Sequence, residues 1–195
     1  VIKSGGFDES ILTEDIEIST RLLNLGYRVG YAATAIVYTE GPSDFLGLCQ
    51  QRLRWKFGRF HTFYKHRNLF FSADKKHNYY LTFLLLPATL FTEVLLFFEG
   101  IILALFYTYT FLTNDFAPMA LFISIIATIV VIQVLSDPGS KHHRNVILMA
   151  PIAWILFYFI DLVEYQALLR SIKKFITKSE LKWQRWNRVG VFDET

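Results

Sequence analysis

"YYLTFLLLPATLFTEVLLFFEGIILALFYTYTFL", residues 79–112, is too apolar for a water-facing surface, and its only charges are Glu93 and Glu99. As a helix rising 1.5 Å per residue it would run about 51 Å, whereas roughly 20 apolar residues already cross hydrocarbon. It is therefore longer than one span needs. Pro87 and Gly100 are the places where it could divide, into two cramped spans or an interfacial piece and a span. Two more stretches match its character. Residues 119–135 carry no charge, and 146–169 carry only Asp161 and Glu164. Residues 79–169 are thus expected to form three or four transmembrane helices.

Charge placement bears on their orientation. The turn "TNDFAP" (113–118) has an acid and no base, which suits the outer side, while "SDPGSKHHRN" (136–145) has Lys141 and Arg144 and suits the inner side. The 170–195 tail holds Arg170, Lys173, Lys174, Lys178, Lys182, Arg185 and Arg188, so the positive-inside rule makes it cytoplasmic. Three simple spans cannot meet all these signals, and a hairpin hidden in residues 79–112 would reconcile them. A basic run touching a span serves orientation or anionic lipid more often than nucleic acid, so no nucleic-acid partner is expected. The 195-residue chain is 53% hydrophobic with a formal net charge of +3, and its mean hydropathy is +0.32. Its one cysteine, Cys49, excludes an internal disulfide and a Cys-rich metal site. The chain shows no signal peptide, starts without Met, and reads as a piece of a longer protein.

Ahead of the apolar wall the sequence is mixed like a soluble domain. Residues 1–42 read as the end of an α/β domain. "SGGFDES" is turn chemistry. Thr13 is a plausible N-cap, with Glu14, Asp15 and Glu17 in the first helical turn, where the helix dipole favours acids. Gly26 closes that helix, and "YRVGYAATAIVYT" reads as strand material. Residues 43–78 contain a helix starting near Ser43 with three faces. Leu46, Leu53, Phe57 and Phe60 line one. Arg52, Lys56 and Arg59 line another, the pattern of a helix lying in the membrane interface with its basic side toward headgroups. Gln51, Arg54, Trp55 and Gly58 share the third.

An acidic pair at a helix start, then Q-x-x-R-W on an interfacial helix, then spans, resembles the membrane-embedded processive glycosyltransferases of family two. These are the synthases of cellulose, chitin, hyaluronan and poly-N-acetylglucosamine. Thr13-Glu14-Asp15 matches that family's T/E-D motif and Gln51-Arg52-Leu53-Arg54-Trp55 its Q-x-x-R-W. The "GGFDE" lead-in and Glu40-Gly41-Pro42 are also similar. "KHRNLF" and the tail with Trp183, Trp186 and Arg188 draw the likeness toward the poly-N-acetylglucosamine branch. The resemblance implies the C-terminal part of a GT-A type α/β fold over 1–42, followed by the interfacial helix and a helical membrane bundle. It implies an inverting enzyme that polymerises a β-linked polysaccharide from a nucleotide sugar such as UDP-N-acetylglucosamine and couples synthesis to export. Asp15 would be the base that takes the acceptor proton, worth roughly 10²–10⁴-fold, with burial or Glu14 tuning it. Arg54 would bind the diphosphate bidentately, Trp55 would offer a flat face to the acceptor sugar, and Gln51 would bond sugar hydroxyls or phosphate.

Plainer readings stand beside these. Glu14 and Asp15 could be ordinary first-turn acids, and Trp55 and Arg54 ordinary interface anchors. Trp154, Tyr158, Asp161 and Tyr165 recur at i, i+4, i+7 and i+11, a strip that could line a polysaccharide channel or could glue helices together. Glu93 and Glu99 share that ambiguity. His61, His66, His77, His142 and His143 show no metal-ligand spacing and read as solvated interface residues. The divalent metal that the resemblance implies, Mg or Mn, would be held by a D-x-D upstream of Val1, and no ligand for it lies in this chain. Expected partners are the nucleotide sugar, the growing polysaccharide, membrane lipid and an accessory membrane subunit. The expected location is the plasma membrane, multi-pass, with the catalytic side cytoplasmic. A nonprocessive transferase acting on a lipid carrier and a noncatalytic translocation component are the rival functions.

Overall fold

The computed structural model describes residues 5–8, 10–32, 34, 35, 37, 39–137, 144–179 and 181. Its helices are α1 (Glu14–Asn24), α2 (Phe45–Lys65), α3 (Leu86–Thr113), α4 (Ala117–Ser136) and α5 (Ala153–Ile176). Turns of 3-10 helix cover Arg67–Leu69 and Arg144–Ile152, and a π-helical turn covers Leu81–Leu85. The chain divides into two compact units, Val1–Leu95 with Val163–Thr195, and Leu96–Leu162. Lys141, His142, His143, Lys182, Trp183, Arg185, Trp186 and Arg188 lie outside the described residues.

Local chemistry sets the helix ends. Gly26, at φ +88°, follows Leu25, the C-cap residue of α1. Its N–H bonds the Leu23 carbonyl at 3.0 Å, and Tyr27 N–H bonds the Leu22 carbonyl at 3.0 Å. This pair is a Schellman closure, which needs a left-handed residue at the Gly26 position. The start of α2 is capped by Asp44, whose carboxylate accepts from Gly47 N–H at 2.7 Å. Among the described residues of 27–39 there is no strand, which leaves the α/β expectation for 1–42 without support. The sequence there favours extended backbone, but a strand needs a neighbour for its N–H and C=O groups, and no described segment supplies one.

Residues 81–113 form one unbroken helical run, so the expected hairpin is absent. Pro87 lacks an N–H, and its ring would strike the Phe83 carbonyl in a regular α-helix. The π turn just before it, where Leu86 N–H reaches the Leu81 carbonyl, loosens the winding at that point and lets the chain continue. Gly100 costs only helix propensity, about 1 kcal/mol, far too little to end a helix this long. Three helical segments are therefore long and apolar enough to cross a membrane: Leu81–Thr113, Ala117–Ser136 and Arg144–Ile176.

The first unit is organised by α2. Leu53 and Phe57 are buried with Ala167 of α5 and Leu181, and Leu12 packs against them. The apolar face of α2 thus serves a protein core where an acyl boundary was expected, and only its first turn, with Leu46, is exposed. Its basic face also departs from expectation. Lys56 Nζ lies 2.6 Å from Glu93 of α3 and 3.1 Å from Glu164 of α5. Arg59 pairs with Glu93 at 2.8 Å and Arg52 with Glu164 at 3.0 Å. Headgroups are not what this face meets, because two acids on apolar helices demand cations nearby and α2 provides them.

Candidate active site

Thr13, the first residue of the acidic motif, meets α2 at Gly58, three residues past Trp55. Gly58 is buried, and a Cβ there would fall inside contact distance of Thr13 Oγ1, Cγ2 and Cβ. Only a residue without a side chain allows this approach. Thr13 holds the N-cap position of α1, and its carbonyl accepts from Glu17 N–H at 3.0 Å, but its hydroxyl makes no capping bond. That hydroxyl is buried without a hydrogen-bond partner, pressed against α2. Thr13 therefore packs where a side-chain cap was expected.

Glu14 and Asp15 follow directly and are exposed. Asp15 Oδ1 accepts from Ile16 N–H at 2.8 Å, so the carboxylate sits over the first turn of α1. The burial expected to tune Asp15 is absent. On α2, Gln51 and Arg54 are half-buried, and Trp55 keeps 37% of its surface exposed. Trp55 and Arg54 lie about 4.5 and 6 Å along the helix axis from Gly58. The carboxylate pair follows Thr13 on α1, and the Gln-Arg-Trp strip precedes Gly58 on α2. One face of the Trp55 ring is already taken, with the Arg52 guanidinium 4.7 Å from its centroid.

Beside the crossing lies a cavity of about 1070 Å³. Glu14, Gly58, His61, Asp8 and Lys178 are among its walls, while Asp15, Gln51, Arg54 and Trp55 are not. Burial between the Phe57 and Phe175 rings pushes the His61 imidazole below its usual pKa. Sequence spacing gave His61 no role, and its signal was faint: one imidazole a turn beyond Phe57.

Beneath the acidic pair sits a residue that pattern reading left as a first-turn acid. Glu17 is fully buried. Its carboxylate meets Lys65 at 2.7 Å, His66 at 3.0 Å and Arg21 at 3.2 Å. Burial pushes its pKa up, but the bonds from Lys65 and His66 and the charges of Lys65 and Arg21 prevail and hold it below the usual value. Lys65 reaches on to Asp8 at 2.5 Å, so "GGFDES", α1 and the end of α2 share one ionic knot. His66 and His77 are buried, not solvated as expected. His77 Nε2 contacts the Asn24 carbonyl at 2.9 Å and its Nδ1 contacts Ser72 Oγ at 2.7 Å, which fixes the end of α1.

The strip on α5 is resolved in part. In the second unit Tyr158 stacks on Phe122 of α4 at 6.0 Å and meets Tyr107 of α3 edge-on at 6.2 Å. Trp154 packs edge-on against Tyr158 at 5.8 Å. These rings join helices. Asp161 is half-buried within hydrogen-bonding reach of Glu99, and Tyr165, in the first unit, is half-buried.

Among the described residues no group of three or more His, Cys, Asp or Glu side chains could hold a metal ion. The model of the glycosyl transferase family group 2 matches residues 1–135. The chain is 29% identical to the Probable glycosyltransferase YdaM of Bacillus subtilis (strain 168), over 95% of this chain and 45% of that protein. It is 38% identical to the Poly-beta-1,6-N-acetyl-D-glucosamine synthase of Staphylococcus aureus (strain COL), over 30% of this chain and 14% of that protein. The chain thus spans less than half the length of the curated relatives it matches. No solved structure matches it.

Proposed function

The chain belongs to the glycosyl transferase family group 2, and from that premise we propose that it forms the acceptor side of an inverting, membrane-embedded glycosyltransferase that builds a β-linked polymer. The observation that carries this reading is the packing of Thr13 on Gly58, which ties the start of α1, where Glu14 and Asp15 follow, to the helix that carries Arg54 and Trp55. In the proposed reaction an acceptor hydroxyl attacks the anomeric carbon of a nucleotide sugar. The new C–O bond forms as the bond to the diphosphate breaks, and the hydroxyl proton passes to the Asp15 carboxylate. Exposure of Asp15 suits a base that must receive a sugar from outside the helix pair. Arg54 would take the charge of the leaving diphosphate. Trp55 would present to the acceptor the ring face that Arg52 leaves open.

The family's divalent metal finds no ligand set among the described residues, so no step in this account runs through it. Membrane embedding is supported by large apolar side chains left bare on the three long helices, such as Leu105 at 66% and Leu112 at 80% exposure. In water such a surface would aggregate. Likeness to the Staphylococcus poly-N-acetylglucosamine synthase supports N-acetylglucosamine as the sugar and a polymer as the product. The basic last turn of α5 is followed by Lys178, which lines the same cavity as Glu14, and this supports a cytoplasmic site.

The test is sugar transfer from UDP-N-acetylglucosamine by membranes carrying the full-length protein, with products sized on a gel. Asp15→Asn should abolish turnover while leaving protein levels unchanged. Turnover at the wild-type rate would remove Asp15 as the base, and a single-sugar product would replace the polymerase by a nonprocessive transferase.

A further inference from the structure

A second cavity in the first unit, about 450 Å³, adjoins the one beside the crossing and shares Tyr64 and Phe175 with it. Its walls are apolar, with Phe60 and Phe63 of α2, Phe71, Leu90 of α3 and Ile172 of α5 among them. The volume falls in the range of small-ligand sites, and such walls hold few of the polar groups that the hydroxyls of a sugar or the phosphates of a nucleotide require. Arg67 is the one cation in the lining.

Arg67 stands out from the cations around it. Arg52, Lys56, Arg59 and Lys65 each pair with a carboxylate. For Arg67 no carboxylate lies in reach among the described residues. Its guanidinium lies 5.0 Å from the Tyr64 ring centroid and donates one bond, to the Tyr64 carbonyl at 3.2 Å. Most of its five donors are left for something else. At the same cavity Phe71 adopts φ +56°, a left-handed conformation that bulky residues avoid. It is held there by its N–H bonding the Thr82 carbonyl at 3.0 Å and by Thr82 Oγ1 bonding the Ser72 carbonyl at 3.2 Å. The strained turn keeps a 62% exposed aromatic ring at the cavity edge. On the opposite wall Ile172 and Ile176 bracket the last turn of α5, which carries Lys173.

An apolar cleft with an uncompensated guanidinium at its edge fits an amphiphile with a long apolar tail and an anionic head. We propose that this cavity binds one anionic phospholipid of the cytoplasmic leaflet, its phosphate on Arg67 and an acyl chain between α2, α3 and α5. This rests on the membrane reading above. It implies that α2, which carries Gln51, Arg54 and Trp55, is seated partly on a lipid.

The experiment uses the full-length protein. Alkaline extraction of membranes comes first, and release of the protein would overturn both the membrane reading and the lipid site. If the protein stays in the bilayer, it is purified from nanodiscs holding phosphatidylglycerol in phosphatidylcholine, and the lipids retained are counted by native mass spectrometry. One phosphatidylglycerol per protein is expected, preferred about tenfold, the equivalent of one charge-assisted hydrogen bond. Arg67→Ala should erase the preference and Arg67→Lys should keep most of it. Ile172→Glu should block the tail and reduce retention of both lipids. Equal retention of the two lipids by the wild type, or an unchanged preference in Arg67→Ala, would overturn the site while leaving the membrane reading intact.

Discussion

Gly58→Ala is the most direct probe of the helix crossing. The added Cβ would sit 2.9 Å from Thr13 Cβ and closer still to Thr13 Oγ1 and Cγ2. Rotating the Thr13 side chain moves the outer atoms but not its Cβ. Carbon atoms rest about 3.5–4.0 Å apart, so α1 must withdraw from α2 by about 0.6–1.1 Å. Overpacking of this kind costs about 1–3 kcal/mol. Displacing a catalytic group by about 1 Å can cost about 10²-fold in rate. Glycosyl transfer by membranes carrying the full-length variant should therefore fall about 10²-fold, with a smaller loss in thermal midpoint.

The compensating change is Thr13→Gly, which removes all three clashing atoms. Glycine serves nearly as well as threonine at an N-cap, costing a few tenths of a kcal/mol, and the Thr13 hydroxyl makes no hydrogen bond that would be lost. The single Thr13→Gly variant should stay near wild type. The Gly58→Ala/Thr13→Gly double variant should recover most of the lost activity, with a coupling of about 1–3 kcal/mol in the double-mutant cycle. A fully active Gly58→Ala enzyme, or a double variant no better than Gly58→Ala, would mean that the crossing does not position the acidic pair.

Two further outcomes follow from the ionic contacts. Glu93→Gln leaves Arg59 without its carboxylate and Lys56 with Glu164 alone, 3.1 Å away; breaking a buried pair costs about 3–5 kcal/mol, and the remaining partner should reduce this to about 2–4, read as a lower thermal midpoint in detergent. Asp8 and Glu17 both have pKa values held below the usual carboxylate range, Asp8 by hydrogen bonds from Lys65 and Ser10. The unfolded chain therefore takes up these protons first, and the stability from both groups is complete above about pH 5 and lost progressively as pH falls below it. Burial pushes the Lys65 pKa down, but its bonds to Asp8 and Glu17 prevail and raise it above the usual value, so its share persists below about pH 10.4 and is lost at higher pH. Thermal midpoints measured against pH should show both limbs, and Lys65→Met should flatten them.

Helix ends were legible in the sequence wherever one residue governs them. Gly26 closes α1, and Asp44, a residue past the expected start, opens α2. The Q-x-x-R-W strip was legible from spacing, and its facing partner was not, because Thr13 and Gly58 are far apart in the chain and only their small size hints at contact. The basic face of α2 was visible as Arg52, Lys56 and Arg59, yet its direction was misread. Amphipathic spacing says that a face is charged and does not say what it meets. The missing clue was the pair Glu93 and Glu164, two carboxylates on apolar helices that need cations within reach. Residues 79–112 were expected to fold back because three simple spans left the loop charges unreconciled, with Pro87 and Gly100 as the places to divide, and a local π turn instead carries the helix past Pro87. Glu17 was hidden by its neighbours, since three acids in one first turn look alike until burial separates them.

These findings give α2 a different task on each face. Leu53 and Phe57 anchor it in the core, Arg52, Lys56 and Arg59 tie it to α3 and α5, and Gly58 admits α1 beside Trp55. Stability alone does not explain the middle face. A buried ion pair seldom outperforms well-packed apolar side chains of similar size, because desolvation offsets the Coulomb gain. Apolar contacts, however, tolerate sliding by a fraction of an ångström, whereas a lysine held at 2.6 Å and 3.1 Å by carboxylates on two helices fixes both rotation and register. The proposed polymerisation would require Trp55 and Arg54 to stay steady against a sugar that moves after each addition. For that proposal the ionic face is the device that would set the position of the strip, while Thr13 packed on Gly58 ties the start of α1 to the same helix.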